Sequence, residues 1–150
     1  MTHSELKEAV KTAMKNKEAT KLSVLRGLMA AATNEAVAKK RKPDDVLTDD
    51  ELMAVMSRGA KQRKDSIEQF EKGGRPELAA QEKEELAVLE ALLPAQLSAD
   101  EVTKLAKEKA AAMGITDKTK ANQLMGALMK DLKGRADGTL VKTVIEKLFE

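Results

Sequence analysis

Apolar residues recur along most of this chain at three- and four-residue intervals, the period of a helix with one face turned inward. The first such segment starts at Thr2, where Glu5 three residues on completes a capping box. Its stripe is Leu6, Val10, Ala13 and Met14. The second starts near Ala19. Leu22, Leu25, Met29, Ala32 and Ala36 keep the period, Leu28 widens the face, and Lys39-Lys40-Arg41-Lys42-Pro43 ends it. Cations suit the negative end of a helix dipole, and proline stops the helix. Thr48-Asp49-Asp50-Glu51 caps the third, whose face of Leu52, Met56, Ala60, Ile67 and Phe70 runs to Gly73-Gly74. Pro76, well tolerated in a first turn, opens the fourth. Leu78, Glu82, Leu86, Leu89 and Leu93 share its face, with Glu82 the polar exception.

Leu93-Pro94-Ala95-Gln96-Leu97 breaks the pattern. Ser98-Ala99-Asp100-Glu101 is a third capping box, opening a helix with Val102, Leu105, Ala106 and Met113 that Gly114 closes. A sixth runs from about Lys120 through Leu124, Met125, Leu128, Met129 and Leu132 to Gly134. The seventh carries Leu140, Val141, Val144, Ile145, Leu148 and Phe149. The pattern predicts an all-α protein: an extended four-helix bundle over 1–93, a linker at 94–97, and a small three-helix subdomain over 98–150. Short connections at 15–19 and 73–76 predict antiparallel neighbours.

Composition agrees with helices and excludes several functions. The hydrophobic residues are 42% of the chain, mostly Ala, Leu, Met and Val, with two Phe and no Trp or Tyr. Strong helix formers dominate, and the aromatic and β-branched residues of sheets are scarce. There is no cysteine, hence no disulfide, thiol nucleophile or thiolate zinc site. No apolar run approaches a membrane span, and the N-terminus lacks the apolar stretch of a signal peptide. A cytoplasmic location is the expectation.

Charge adds one asymmetry. The net charge is +2, too small to announce a nucleic-acid binder. Residues 118–142, however, carry Lys118, Lys120, Lys130, Lys133, Arg135 and Lys142 against Asp131 and Asp137. A basic, glycine-punctuated turn between two helices can present cations and backbone amides to an anion. The same residues also suit a plain helix C-terminus with a glycine cap.

No catalytic constellation can be assembled. His3, the one histidine, sits at a terminus expected to fray and is assigned no role. The acidic pairs Asp44-Asp45, Asp49-Asp50 and Glu84-Glu85 read as capping and solvation rather than as a general acid/base pair or a cation site. No metal and no cofactor are called for. Arg63 lies seven residues after Met56 and seven before Phe70, on or beside their apolar stripe. It is either an edge arginine whose stem covers the core or one half of a buried ion pair, with Glu82 as the candidate partner.

Two long segments resemble the GatB/YqeY family. One is Lys61-Gln62-Arg63-Lys64-Asp65-Ser66-Ile67-Glu68-Gln69-Phe70-Glu71-Lys72-Gly73-Gly74-Arg75, resuming at Leu89-Glu90-Ala91-Leu92-Leu93-Pro94-Ala95-Gln96-Leu97-Ser98. The other is Met125-Gly126-Ala127-Leu128-Met129 through Lys133-Gly134-Arg135-Ala136-Asp137-Gly138. Leu22-Ser23-Val24-Leu25-Arg26 and Ala30-Ala31-Ala32-Thr33-Asn34 are similar to the family's second helix, so the likeness covers essentially the whole chain. The resemblance implies an all-α fold with an N-terminal bundle and a smaller C-terminal unit. A related module forms the tail of the B subunit of the tRNA-dependent amidotransferase, and similar modules are appended to some glutaminyl-tRNA synthetases. There the module goes with tRNA binding, not with chemistry.

What the resemblance implies is therefore a non-catalytic accessory role in tRNA aminoacylation or amidation. The tRNA contact falls to Lys130, Lys133, Arg135 and Lys142. Stand-alone members are catalogued as carbon–nitrogen ligases with glutamine as amide donor. This chain lacks the amidotransferase's kinase-like catalytic portion, so that label reads as inherited from the family name. An enzyme is the least favoured reading. The alternative of a different class is a protein-interaction module that docks on a synthetase or amidotransferase through an apolar helix face.

Overall fold

The computed structural model describes residues 1–150 and contains helices, turns and no strand. Seven α-helices follow in order: α1 (His3–Lys15), α2 (Ala19–Ala38), α3 (Asp49–Lys72), α4 (Pro76–Leu92), α5 (Ala99–Met113), α6 (Ala121–Asp131) and α7 (Gly138–Leu148). A 3₁₀ turn, Lys118–Lys120, precedes α6. No helix is long and apolar enough to cross a membrane. The helices divide into two units, Met1–Leu93 and Pro94–Glu150.

Helix starts follow local chemistry. At Thr2, Thr48 and Ser98 the hydroxyl accepts the N–H of the glutamate three residues on, and that glutamate accepts the cap residue's own N–H. Each box satisfies two amides that the first helical turn leaves without partners, stabilising the start by about 1 kcal/mol. Helix ends are more varied. After α3 the chain turns at Gly74, φ +71°, and the Arg75 N–H closes back on the Phe70 carbonyl at 2.8 Å. This is the turn for which glycine is best suited. The same closure ends α1 and α2 with lysine in the left-handed position, Lys17 at φ 57° and Lys40 at φ 58°.

The N-terminal unit's core includes Leu6, Val24, Leu25, Leu28, Leu47, Leu52, Met56 and Leu89, all nearly solvent-free. α3 and α4 form a long antiparallel hairpin, against which α2 packs; α1 packs on α2. In the C-terminal unit α5, α6 and α7 pack on one another around Val102, Ala106, Leu124, Leu128, Leu132, Val141 and Ile145. Two methionines assigned to apolar stripes lie outside them. Met14 is exposed because only the Leu6–Ala13 face of α1 meets a neighbour. Met113 is exposed because the left-handed turn at Gly114 sends Ile115 into the core instead.

His3 is also not the idle terminal residue expected. Its side chain is buried, and Nδ1 accepts the Leu47 N–H at 3.2 Å. The imidazole thereby ties the start of α1 to the loop before α3. Burial, and then the charge of Lys7, push its pKa below the ordinary 6.5.

Candidate functional site

The basic segment of the C-terminal unit is built around a pinned turn. α6 ends at Asp131, and the chain turns through Leu132–Ala136. Leu132 and Ala136 are buried, while Lys133 and Arg135 between them are exposed. Gly134 takes φ +74°, and the Arg135 N–H returns to the Leu132 carbonyl at 2.8 Å. The segment 94–97 is tied to the same turn. The Leu97 N–H donates to the Arg135 carbonyl at 2.8 Å and Gln96 Nε2 to the Gly134 carbonyl at 2.7 Å. Two buried anchors and these bonds fix the backbone from which both cations project.

Lys130 lies on the last turn of α6 and Lys142 on the second turn of α7, both exposed. Lys130 and Lys133 do not share a helix face, because the helix ends between them. The segment's two acids are engaged inside the unit. Asp131 pairs with Lys109 of α5 at 2.8 Å, and Asp137 caps α7 by accepting the Leu140 N–H at 2.9 Å. Lys130, Arg135 and Lys142 make no ion pair. The local basic excess is therefore largely turned to solvent.

The N-terminal unit treats its charges differently. Arg63 Nη1 lies 3.2 Å from Glu82 Oε2 and also bonds Glu85. All three side chains are about one-fifth exposed, Arg63 at 23%, Glu82 at 25% and Glu85 at 15%. Glu85, which looked like a solvated surface acid, is thus the second partner. The signal for it was its position three residues after Glu82, on the same face of α4. A second network joins α2 to α3. Arg41 donates to Glu51 at 2.7 Å, Lys39 lies 3.2 Å from Glu51, and Arg58 bonds Glu35 at 3.1 Å. The Arg41 hydrogen bond, then the Thr48 amide, hold the Glu51 pKa down at about 2.

Between these two networks lies a half-open cleft of about 620 Å³. Its floor is apolar, with Val24 and Leu28 from α2, Val55 from α3 and Leu89 from α4. Arg58, Arg63, Glu35 and Glu82 stand on its rim, with Asn34, Gln62 and Ser66 between them. The hydrophobic period of the chain does not signal this concavity, which lies between α2, α3 and α4. Elsewhere no group of three or more His, Asp or Glu side chains converges to hold a metal ion. The Asp44-Asp45 and Asp49-Asp50 pairs lie in the loop and first turn around the Thr48 cap.

Comparison with known proteins shows what the chain is similar to. A family model described as Yqey-like protein matches residues 3–149. The protein named Altered inheritance of mitochondria protein 41, mitochondrial, from Eremothecium gossypii is 33% identical over 90 residues, 60% of this chain and 48% of that protein. The protein of the same name from Pyrenophora tritici-repentis is 30% identical over 150 residues, 95% of this chain and 78% of that protein. The chain thus spans about half the length of the first relative and rather more of the second.

Proposed function

The chain belongs to the YqeY-like family, and from that premise we propose that it is a non-catalytic accessory protein of tRNA aminoacylation or amidation, holding tRNA through its C-terminal unit. One observation carries the reading. Around a backbone pinned by Leu132, Ala136 and the 94–97 segment, Lys130, Arg135 and Lys142 are exposed without ion-pair partners, while both nearby acids are engaged elsewhere. Phosphates of a folded RNA are the chemistry such a set of cations suits. The two phenylalanines, Phe70 and Phe149, are half-buried and offer no platform for stacking single-stranded bases. That favours recognition of structured RNA by shape and backbone.

The experiment is tRNA binding across a salt series, for the unaltered protein and for Lys133→Glu/Arg135→Glu. Counterion release makes the salt slope report the number of phosphates neutralised, so the double variant should lose about two units of slope with no change in helicity. Equal affinity and slope for both proteins would reject the site. The second reading, docking on a synthetase or amidotransferase, predicts binding to protein that changes little with salt.

A further inference from the structure

The N-terminal unit is divided in its charge. Residues 1–42, which hold α1, α2 and the basic run after them, carry ten Lys and Arg against four Asp and Glu. Residues 43–93, which hold α3 and α4, carry seven against thirteen. The few acids of the basic half are engaged. Glu5 accepts the Thr2 N–H at 2.7 Å in the capping box, and Glu35 bonds Arg58 at 3.1 Å. Glu8 lies 2.9 Å from Lys11 and Glu18 3.8 Å from Lys21. Lys7, Lys15 and Lys17 are exposed and make no ion pair.

α1 sets these cations in a row. Lys7, Lys11 and Lys15 follow at i, i+4 and i+8, one above another on the outward side of the helix, over about 12 Å. The buried Leu6 and Ala13 lie across the helix from them. The Lys11–Glu8 pair is 72% and 68% exposed, open enough for a phosphate to displace the carboxylate. Lys17 comes just past the helix end, on a fixed backbone. Its N–H returns to the Met14 carbonyl at 3.2 Å, and the Glu18 N–H to the Ala13 carbonyl at 3.0 Å. Its φ of 57° is a left-handed position that glycine takes more easily. A lysine kept there at the expense of backbone strain points to a use for its charge.

What surrounds the lysines identifies the ligand. Protein interfaces are centred on apolar and aromatic anchors and are poor in lysine. The outward face of α1 offers one large apolar side chain, Met14. A helix that lies in a bilayer surface needs an apolar face free to enter the lipid, and on α1 Leu6 and Ala13 are committed to the core. What remains is a row of cations one helical turn apart, the chemistry that meets successive phosphates of a nucleic-acid backbone. We propose that the outward face of α1 is a second RNA contact, at which Lys7, Lys11, Lys15 and Lys17 neutralise backbone phosphates of a folded RNA. The identity of the RNA rests on the tRNA reading; the surface is one which that reading does not contain. Two contacts on one chain hold a ligand more tightly than either alone.

The test is tRNA binding by the full chain across a salt series. Lys7→Gln/Lys15→Gln/Lys17→Gly should lose about one unit of salt slope for each phosphate contact removed. Lys17→Gly alone should lower the slope by about one unit while its urea midpoint stays level or rises, because glycine relaxes the left-handed turn. A merely structural lysine would move the midpoint and leave the slope. Equal slopes for the triple variant and the unaltered protein would overturn the proposal. So would vesicles of phosphatidylcholine and phosphatidylserine that bind the unaltered protein and not the triple variant, with tRNA slopes equal; the face would then belong to a membrane. The two RNA contacts fail separately. If Lys133→Glu/Arg135→Glu keeps the full slope while the triple variant loses it, the C-terminal contact falls and the α1 contact stands. The reverse result removes the α1 contact alone, and no tRNA binding by the unaltered protein overturns both.

Discussion

The two units handle charge in opposite ways. In the N-terminal unit cations and carboxylates face one another across helix pairs: Arg41 with Glu51, Arg58 with Glu35, Arg63 with Glu82 and Glu85. In the C-terminal unit Lys109 pairs with Asp131, while Lys130, Arg135 and Lys142 point outward without partners. The near-zero net charge of the chain hides this difference. Ion pairs between helices line the first unit's cleft. Exposed cations such as Lys130, Arg135 and Lys142, without ion-pair partners, contribute little to folding and are available to an external anion. Net charge alone is thus a poor guide to whether such a chain meets a polyanion.

The comparison can be broken most forcefully through the cores. Leu25 and Leu128 are both almost wholly buried, at 0% and 1% exposure. Truncating either to alanine should cost about 2–5 kcal/mol. The smaller unit buries less in total and has less stability to lose. Leu128→Ala is therefore expected to reduce the circular dichroism of the C-terminal helices and to abolish tRNA binding. Leu25→Ala should lower the denaturation midpoint but leave tRNA binding in place. Loss of tRNA binding in both variants alike would mean that the contact is not confined to the basic turn.

Ion pairs sharpen it next. Arg63→Met leaves Glu82 and Glu85 facing each other without a cation. Fully buried pairs cost about 3–5 kcal/mol to break; with Arg63 about one-fifth exposed, roughly 1–3 kcal/mol is expected after solvent screening. Lys109→Ala, in a pair where Lys109 is 34% and Asp131 50% exposed, should cost less than about 1 kcal/mol. Urea midpoints for the two variants test the contrast, and an unchanged midpoint for Arg63→Met would make that arginine only an edge residue.

Acid gives the gentlest probe. The His3 pKa is lowered in the folded state, so the unfolded chain takes up that proton first. Its contribution is complete above about pH 6.5 and is lost as the pH falls below it. Protonation at Nδ1 would remove the acceptor for the Leu47 N–H. The Glu51 carboxyl, held at about 2 against an ordinary 4.5, contributes above pH 4.5 and loses its contribution as the pH falls toward 2. Urea midpoints measured from pH 7 down to about 2 should fall in two stages. His3→Gln should remove the upper stage and Glu51→Gln should shrink the lower, to which Glu35, Glu68 and Asp117, also held below their ordinary values, contribute as well. A single stage untouched by either substitution would dissociate both groups from stability.

How much of this was legible in the sequence depends on the distance over which each interaction acts. The three capping boxes are contacts between residues three apart, and all three are in place. The all-helical class follows from periodicity, which is equally local. The ends at Lys17 and Lys40 were not legible as left-handed turns, since glycine is the usual sign of them and neither has it. The residues of the basic turn were visible as a local excess of Lys and Arg. That Arg135 and the flanking Lys130 and Lys142 lack ion-pair partners was not, because Lys109, on a different helix, takes Asp131.

The sequence by itself determined where the three helices with capping boxes begin, that no strand competes with them, and which residues carry the basic turn, because these rest on interactions within one or two turns of backbone. Tertiary structure alone decided that His3 is buried against Leu47, 44 residues away, that Glu85 joins Glu82 on Arg63, and that α2 leaves a cleft beside α3 and α4. Those outcomes depend on which helix faces meet and at what angle they cross. Packing ridges of one helix into grooves of another permits several crossing angles, and the hydrophobic period does not choose among them.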